Sequence, residues 1–115
     1  MRTNNGIQVD STVYTLPENE DELVTYSVYM GGDIGESVIT TNRPKLPNIL
    51  IYGDSFTNPL ETLLWTQANE LRSIDFRYYT QNTLKDYIAE HKPDIVICVR
   101  DETAFLSEAG NGITE

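Results

Sequence analysis

The chain has 115 residues, and 8 basic against 18 acidic side chains give it a formal net charge of −10 at pH 7. This length allows one domain, and 39% hydrophobic residues suffice for a modest core, which excludes a disordered chain. The negative charge repels phosphate backbones and anionic membrane surfaces, so we expect no nucleic-acid partner, and no apolar run is long enough for a membrane span.

Residues 1–47 form an N-terminal segment that we expect to pack onto the same domain as the rest of the chain. The β-type run at residues 12–16 predicts a short strand, and β-branched side chains at residues 37–41 predict another. The acidic stretch 18–22 precedes an apolar run. Because carboxylates favour the first turn of a helix, this order predicts a short helix. Prolines within residues 43–47 then break the chain.

A strand and helix pattern begins at residue 48. The apolar run 49–52 predicts a strand that is buried on both faces. Asn58 followed by Pro59 predicts the N-cap and first position of a helix, whose apolar residues recur at helical spacing as far as Leu71, over about three turns. Residues 73–78 predict the next strand.

A second helix and a third strand complete this pattern. Asn82 is the predicted cap of the helix, and Leu84, Tyr87 and Ile88 fall on one of its faces. The run at residues 94–99 predicts the strand, and the signal fades after Arg100.

Residues 48–102 are therefore predicted to form a β-α-β-α-β core, with residues 103–115 as a tail. Two right-handed crossovers make the three strands parallel neighbours, so we expect an α/β fold with a three-layer, flavodoxin-like parallel sheet. Three strands, even with one or two added from the N-terminal segment, make a thin sheet for this class. We therefore expect part of a larger domain.

Candidate functional residues fall at the carboxyl ends of the predicted strands, where ligands bind in open parallel sheets. At these ends lie Gly53, Asp54 and Ser55 for the first strand, Arg77 for the second and Arg100 for the third. A serine between a buried strand and a helix is placed to act as a nucleophile, with the N–H groups of Gly53 and Ser55 as oxyanion donors. Taken alone, the tripeptide favours an ordinary turn in which Ser55 hydrogen-bonds locally.

The arginines at this edge have two interpretations. Arg77 would bind an acyl oxygen or a sugar carboxylate, or with about equal weight form a salt bridge to a surface acid. Arg100 stands beside two acidic residues and predicts a structural ion pair. Cys98 is the only cysteine, which excludes an internal disulfide and a cysteine-based zinc site, and no metal or other cofactor is predicted. Core positions are predicted for Tyr52, Trp65 and Cys98.

The segment Asn-Ile-Leu-Ile-Tyr-Gly-Asp-Ser-Phe at residues 48–56 resembles the nucleophile block of SGNH (GDSL-type) hydrolases. Together with residues 29–33, 74–79 and 87–96, it is similar to the C-terminal part of DHHW-type proteins, bacterial relatives of the alginate O-acetylation proteins. The resemblance implies an SGNH-like fold and acyl transfer through Ser55, on an acylated carbohydrate or another ester. It also implies a structural role for Asp54 and an extracytoplasmic location, in the cell envelope or secreted.

The base that would activate Ser55 is missing from this chain. The family places an Asp-X-His motif before the serine, or more generally in SGNH proteins an Asp-X-X-His motif after it, and neither is present. His91 is the only histidine, and it precedes the third strand, whereas Ser55 follows the first. Six strand residues put these two edges about 20 Å apart. We therefore expect the chain alone to be inactive or nearly so.

Two functions remain open from the sequence. The first is the serine-bearing half of a carbohydrate O-acetyltransferase or acetylesterase, and the second is a non-catalytic α/β interaction or glycan-binding module. An incomplete sheet would leave strand groups unpaired, so we also expect a homodimer or larger oligomer. The alternative is a monomer that the N-terminal segment completes.

Overall fold

The computed structural model describes residues 1–10, 13–25 and 28–106. Within these ranges the chain forms six strands and three short helices. The strands are β1 Arg2–Asn4, β2 Ile7–Val9, β3 Glu36–Thr40, β4 Asn48–Gly53, β5 Glu70–Asp75 and β6 Ile95–Val99. The helices are α1 Thr57–Leu64, continued by a 3-10 turn at Trp65–Gln67, α2 Leu84–His91 and α3 Glu102–Phe105. No helix in the described ranges is both long and apolar enough to cross a bilayer.

The strands form one mixed sheet in the order β2-β1-β3-β5-β4-β6. β4 pairs in parallel with β5 on one side and with β6 on the other. β3 runs antiparallel to β5, and β1 runs antiparallel to both β2 and β3. The predicted α/β fold is confirmed, but the sheet is not wholly parallel, because the strands of the N-terminal segment join it without helical crossovers.

The N-terminal hairpin of β1 and β2 was not predicted from the sequence. Its two-residue loop is Asn5-Gly6, and both residues have positive φ, 48° and 79°. Positive φ at both central positions is what a type I′ hairpin turn requires, and Asn-Gly is its most characteristic sequence. This dipeptide was therefore a usable signal for a hairpin at the start of the chain.

The rest of the N-terminal segment is less regular than predicted. Of the predicted strand at residues 12–16, Tyr14 forms an isolated bridge with Tyr29, and position 12 lies outside the described residues. The helix predicted after the acidic stretch is absent from residues 18–25, which form turns, bends and irregular chain, and residues 26–27 lie outside the description. The predicted strand at residues 37–41 corresponds to β3. In the predicted tail, residues 107–115 are outside the described ranges.

Helix α1 departs from its predicted boundaries and orientation. Its N-cap residue is Phe56, which makes no side-chain capping bond, so Asn58 lies inside the helix and instead donates to the Gly32 carbonyl at 3.1 Å. The helix buries a polar face, and two residues of its predicted apolar face are turned outward, with Leu60 39% and Leu63 65% exposed, whereas Leu64 is partly buried against the core. The buried residues are Thr57, Asn58, Glu61 and Thr62.

Helix α2 lies close to its predicted position, but its N-cap is one residue later than predicted. Thr83 rather than Asn82 is the N-cap, and its side chain accepts a hydrogen bond from the Asp86 N–H. Tyr87 is buried, and Leu84 and Ile88 pack beside it.

The core has two parts, one on each face of the sheet, as the alternation of side chains along β4 requires. Trp65 packs on the α1 side and Tyr52 on the α2 side, both partly buried. The prediction that Cys98 is a core residue is wrong, because β6 is an edge strand and the thiol is exposed. The α1 side contains Met30, Ile39, Ile49, Ile51, Ala68 and Leu71, and the α2 side Leu50, Ile74, Phe76, Tyr79 and Tyr87.

Gly53 provides a test of the packing between β4 and the end of β6. A Cβ at this position would lie 1.7 Å from the Val99 carbonyl oxygen. We expect Gly53→Ala to lower the free energy of unfolding by about 3 kcal/mol or more, since backbone must move to remove the overlap. Gly6→Ala is the matched control, because Gly6 also has positive φ but no atom near its would-be Cβ; its cost is about 1 to 2 kcal/mol. Urea denaturation measures both, and equal losses would contradict this account.

Candidate functional site

The three parallel strands end at the same level, which gathers the predicted site residues at one edge. Gly53 at the end of β4 is in register with Asp75 of β5 and Val99 of β6. Ser55 and Arg77 each follow two residues beyond these positions. This edge is the one at which ligands bind in open parallel sheets.

Asp54 holds the turn that carries Ser55. The Asp54 side chain is buried, and its two carboxylate oxygens accept the Phe56 N–H at 2.9 Å and the Asp101 N–H at 2.7 Å. Its carbonyl accepts the Thr57 N–H at 2.9 Å. Hydrogen bonds from N–H groups to a carboxylate are among the stronger ones in proteins. Asp54 therefore joins the turn after β4 to the chain leaving β6.

Ser55 is half-buried in this turn, two residues before α1 begins. Its carbonyl accepts the Asn58 N–H at 3.1 Å, which closes the first turn toward the helix. Among the described residues, the hydrogen bonds that hold the turn are made by Asp54 and by this carbonyl, and none uses Ser55 Oγ. The hydroxyl is thus available for other chemistry at the positive end of α1.

Gly53 lies in the sheet itself. It pairs with Asp75 and Val99, and its carbonyl accepts the Phe76 N–H at 3.3 Å. The absence of a side chain lets β4 approach the Val99 carbonyl and begin its turn at this level.

Arg77 is engaged by two carboxylates. Its guanidinium donates to both oxygens of Asp75, the shortest contact being 2.6 Å, and lies 3.3 Å from Asp33. Hydrogen bonding to Asp75 raises the pKa of the Arg77 guanidinium above its ordinary value. The salt bridge that the sequence offered as one alternative is therefore formed. An anionic ligand would compete with both carboxylates for Arg77.

Arg100 stacks on aromatic rings at the end of β6. Its guanidinium carbon lies 5.6 Å from the ring centre of Tyr52 and 5.8 Å from that of Phe76. The carboxylate of the adjacent Asp101 accepts the Thr103 N–H at 2.8 Å, at the start of α3.

His91 lies at the opposite edge of the sheet from Ser55. It is the last residue of α2, with its ring centre 4.2 Å from that of Tyr87. Three residues later, Asp94 accepts the Asn48 N–H at 2.8 Å, at the amino end of β4. The full length of β4 therefore separates His91 from the turn that carries Ser55.

A buried polar cluster behind the Ser55 turn was not anticipated from the sequence. Glu61 of α1 is 2% exposed, and its carboxylate accepts Ser73 Oγ at 2.5 Å and Thr57 Oγ1 at 3.0 Å. Burial raises the pKa of Glu61, and nearby Asp75 adds to the rise, although the two hydrogen bonds and the positive charge of Arg2 act in the opposite direction. The cluster ties the first turn of α1 to β5. The sequence pattern that could have revealed this cluster is a set of polar residues at helical spacing, at positions 57, 58, 61 and 62.

A cavity with a largely apolar lining lies away from Ser55. It has a volume of about 330 Å³ and is lined by residues that include Thr40, Arg43 and Trp65. Thr40 pairs with Glu70, the first residue of β5, so the cavity lies at the amino edge of the parallel strands. Arg43 donates there to the carbonyls of Trp65 and Thr66 and so ends the α1 segment. In the ranges that the structure covers, no group of three or more histidine, cysteine or acidic side chains could hold a metal ion.

Comparison with known proteins relates the fold to solved structures. A DHHW family protein from Eubacterium siraeum superposes with a TM-score of 0.72 at 19% identity, over 90% of this chain. Bacillus cereus PatB1 with a sulfonyl adduct gives 0.66 at 22% identity over 78% of this chain, and another PatB1 structure gives 0.66 at 22% over 76%. No family model and no curated protein matches the chain.

The resemblance to DHHW-type proteins is confirmed at the level of the fold. The chain spans only about a third of the length of these neighbours, 34% of the DHHW family protein and 30% and 29% of the two PatB1 structures.

The buried Glu61 predicts a specific pH dependence of stability. Since burial raises its pKa in the folded state above the unfolded value of about 4.3, Glu61 stabilises the fold most below that pH and loses this contribution as pH rises through the folded pKa. We therefore expect the unfolding free energy of Glu61→Gln, relative to the wild type, to increase as pH rises. Urea denaturation at a series of pH values measures it. A difference that stays flat across the pH series for Glu61→Gln would contradict the argument.

Proposed function

We propose that Ser55 is the nucleophile of an acyl-transfer reaction and that the chain is the serine-bearing part of an SGNH-like carbohydrate O-acetyltransferase or acetylesterase. The observation that carries the proposal is the position of Ser55, half-buried at the carboxyl end of the central parallel strand, in a turn that Asp54 holds without the serine hydroxyl. The likeness of the fold to a DHHW family protein supports it.

The reaction would proceed in two steps. Ser55 Oγ attacks the acyl carbonyl, loses its proton to a base and forms an ester bond, while the bond to the leaving alcohol breaks and that oxygen takes up a proton. The acceptor hydroxyl or water then attacks acyl-Ser55 and releases the serine. The Ser55 N–H, near the positive end of α1, is a candidate donor to the oxyanion of each step, and we retain Gly53 as a second candidate.

An uncharged ester suits this edge better than an anionic one. The chain carries a net charge of −10, and the Arg77 guanidinium already binds Asp75 and Asp33. A sugar carboxylate would have to displace one of these acids, whereas an acetylated hydroxyl would not. We therefore favour Arg77 as a group that orients Asp75 and the loop after β5, and we place the substrate in the class of neutral acylated carbohydrates. An extracytoplasmic location remains part of this proposal.

The base must come from outside the described residues. His91 stands at the other edge of the sheet, and a serine hydroxyl without an adjacent base is a weak nucleophile. One of the PatB1 structures carries a sulfonyl adduct. Because sulfonyl groups react with nucleophiles, this adduct supports the proposal of a nucleophile in the present chain.

The lack of a base near Ser55 among the residues that the structure describes also favours a second candidate function. A non-catalytic α/β interaction or glycan-binding module would keep the turn after β4 for its architecture alone, with Asp54 joining β4 and β6. In that case replacement of Ser55 would change no acyl chemistry under any condition.

We expect the isolated chain to hydrolyse p-nitrophenyl acetate no faster than its Ser55→Ala variant, because oxyanion donors alone give little catalysis without a base. Release of p-nitrophenolate measures both rates. A large Ser55-dependent rate would show that the chain contains its own base.

Added imidazole can replace the missing base and separates the two functions. With p-nitrophenyl acetate and imidazole, we expect acetylation at Ser55 to exceed that at other hydroxyls in the native chain, and to fall to their level in the urea-denatured chain. Peptide mass spectrometry locates the acetyl group. Thr66→Ala, which removes an exposed hydroxyl of the 3-10 turn, is the matched control and should leave the Ser55 signal unchanged. Equal acetylation of Ser55 in native and denatured chains would favour the binding module.

A further inference from the structure

The start of helix α1 lacks the usual side-chain cap. Its N-cap residue Phe56 makes no side-chain capping bond, and the first turn contains no acidic residue. Ser55 comes immediately before this cap, so the contacts that fix the first turn of the helix also fix the serine. Asp54 holds the turn from the β6 side. On the side toward β5, the restraint comes from the first residue of the helix.

That residue, Thr57, is held through its side chain. It is 1% exposed, and its Oγ1 donates to Glu61 Oε1 at 3.0 Å, one helical turn further on. The two other contacts of this hydroxyl, with Asn58 Oδ1 and Ser73 Oγ, are both 3.5 Å long. Because a hydroxyl has a single proton and a hydrogen bond weakens with length, Glu61 is the main acceptor for Thr57.

Glu61 is in turn anchored to the interior of the sheet. The same oxygen, Oε1, accepts Ser73 Oγ at 2.5 Å. Ser73 lies in β5, where it pairs with Ser37 of β3 on one side and with Ile51 of β4 on the other. Strands in the core of a sheet are among the parts of a fold that open least. One carboxylate oxygen therefore connects the first residue of α1 to a rigid strand.

We propose that Glu61 is a positioning residue for the Ser55 turn: through Thr57 it fixes the first turn of α1 against β5, and with it the direction of the Ser55 hydroxyl and N–H. The catalytic meaning of this role rests on the proposed function, because acyl transfer at Ser55 needs the nucleophile and the oxyanion donors aimed at one point. Glu61 itself touches no substrate in this role.

The polar character of the cluster supports a directional role. Burying an acid that is only 2% exposed is costly, and nearby Asp75 adds negative charge, although the buried Arg2 adds positive charge. Apolar side chains of similar volume often stabilise such a site equally well. They make no directional bonds, however, whereas a polar network in which each group has a partner specifies a single arrangement.

Hydrogen exchange of backbone amides tests the positioning directly. The Asn58 N–H is bonded to the Ser55 carbonyl and reports on the turn, and the Tyr87 N–H is bonded within α2. We expect Glu61→Ala to speed exchange at Asn58 at least about tenfold more than at Tyr87. Glu61→Gln keeps an oxygen that can accept both hydroxyls, so exchange at Asn58 should stay within about threefold of the wild type. Glu61→Ala with equal acceleration at both amides, or with none, would overturn the proposal.

A double variant tests whether Glu61 acts through Thr57. Thr57→Val removes the hydroxyl but keeps a side chain of similar shape. If Glu61 fixes the turn through that hydroxyl, the combination of Glu61→Ala with Thr57→Val should speed exchange at Asn58 no more than the stronger single substitution does. Effects that multiply would show that the two residues act separately, and this result would also overturn the proposal.

Acetylation of Ser55 by p-nitrophenyl acetate with imidazole gives the chemical readout. In chains that circular dichroism shows to be folded, we expect Glu61→Ala to slow this acetylation at least about tenfold, because a small displacement of a reacting group is costly, and Glu61→Gln to restore it. Ile88→Ala is the matched control for lost stability. It removes core contacts on the other face of the sheet and should leave the rate unchanged.

The two readouts separate this inference from the proposed function. If Ser55 of the wild-type chain is not selectively acetylated, the proposed function fails, whereas exchange at Asn58 still decides the role of Glu61. A folded Glu61→Ala chain that is acetylated at the wild-type rate would overturn the positioning role and leave Ser55 as the nucleophile.

Discussion

The contact between Gly53 and the Val99 carbonyl is the constraint on which the rest of this edge depends. A Cβ on Gly53 would lie 1.7 Å from that oxygen, so only glycine allows β4 and β6 to end side by side. That alignment puts the Asp54 carboxylate within 2.7 Å of the Asp101 N–H, on the chain leaving β6. Asp54 then fixes the turn, and the turn fixes Ser55 and the start of α1. One missing side chain thus sets the position of the candidate nucleophile.

The orientation of α1 follows from hydrogen bonding rather than from hydrophobicity. Periodicity predicted that the leucines of this helix face the core, yet Thr57 and Glu61 face it and bond to each other and to Ser73. A buried polar group left unpaired costs about 1 to 3 kcal/mol, but a cluster in which each group has a partner avoids that cost. Asn58 adds a bond to the Gly32 carbonyl and so fixes α1 against the N-terminal segment as well. Leu60 and Leu63 are consequently turned outward.

The elements that the sequence predicted well are those with a strong local pattern. The run before Gly53, the run before Arg100 and the helix containing Tyr87 all have a period or a continuous apolar stretch that admits one interpretation. Leu71 was assigned to the wrong element. It continues the helical spacing of α1, but the chain has already become extended at Ala68, with φ −117° and ψ 148°. Likewise Cys98 was predicted to be buried because its neighbours are apolar, but only the strand order shows that β6 is an edge.

The topology that presents Ser55 also keeps the only histidine away from it. In a right-handed β-α-β unit the helix returns the chain to the amino edge, so a residue at the end of α2 cannot reach the carboxyl edge whatever its side chain. Three acidic side chains at the carboxyl edge are engaged: Asp54 accepts backbone N–H groups, Asp75 binds Arg77, and Asp101 accepts from the start of α3. Using any of them as a base would remove a bond that holds the edge together. The base of the proposed acyl transfer is therefore neither His91 nor one of these three acids.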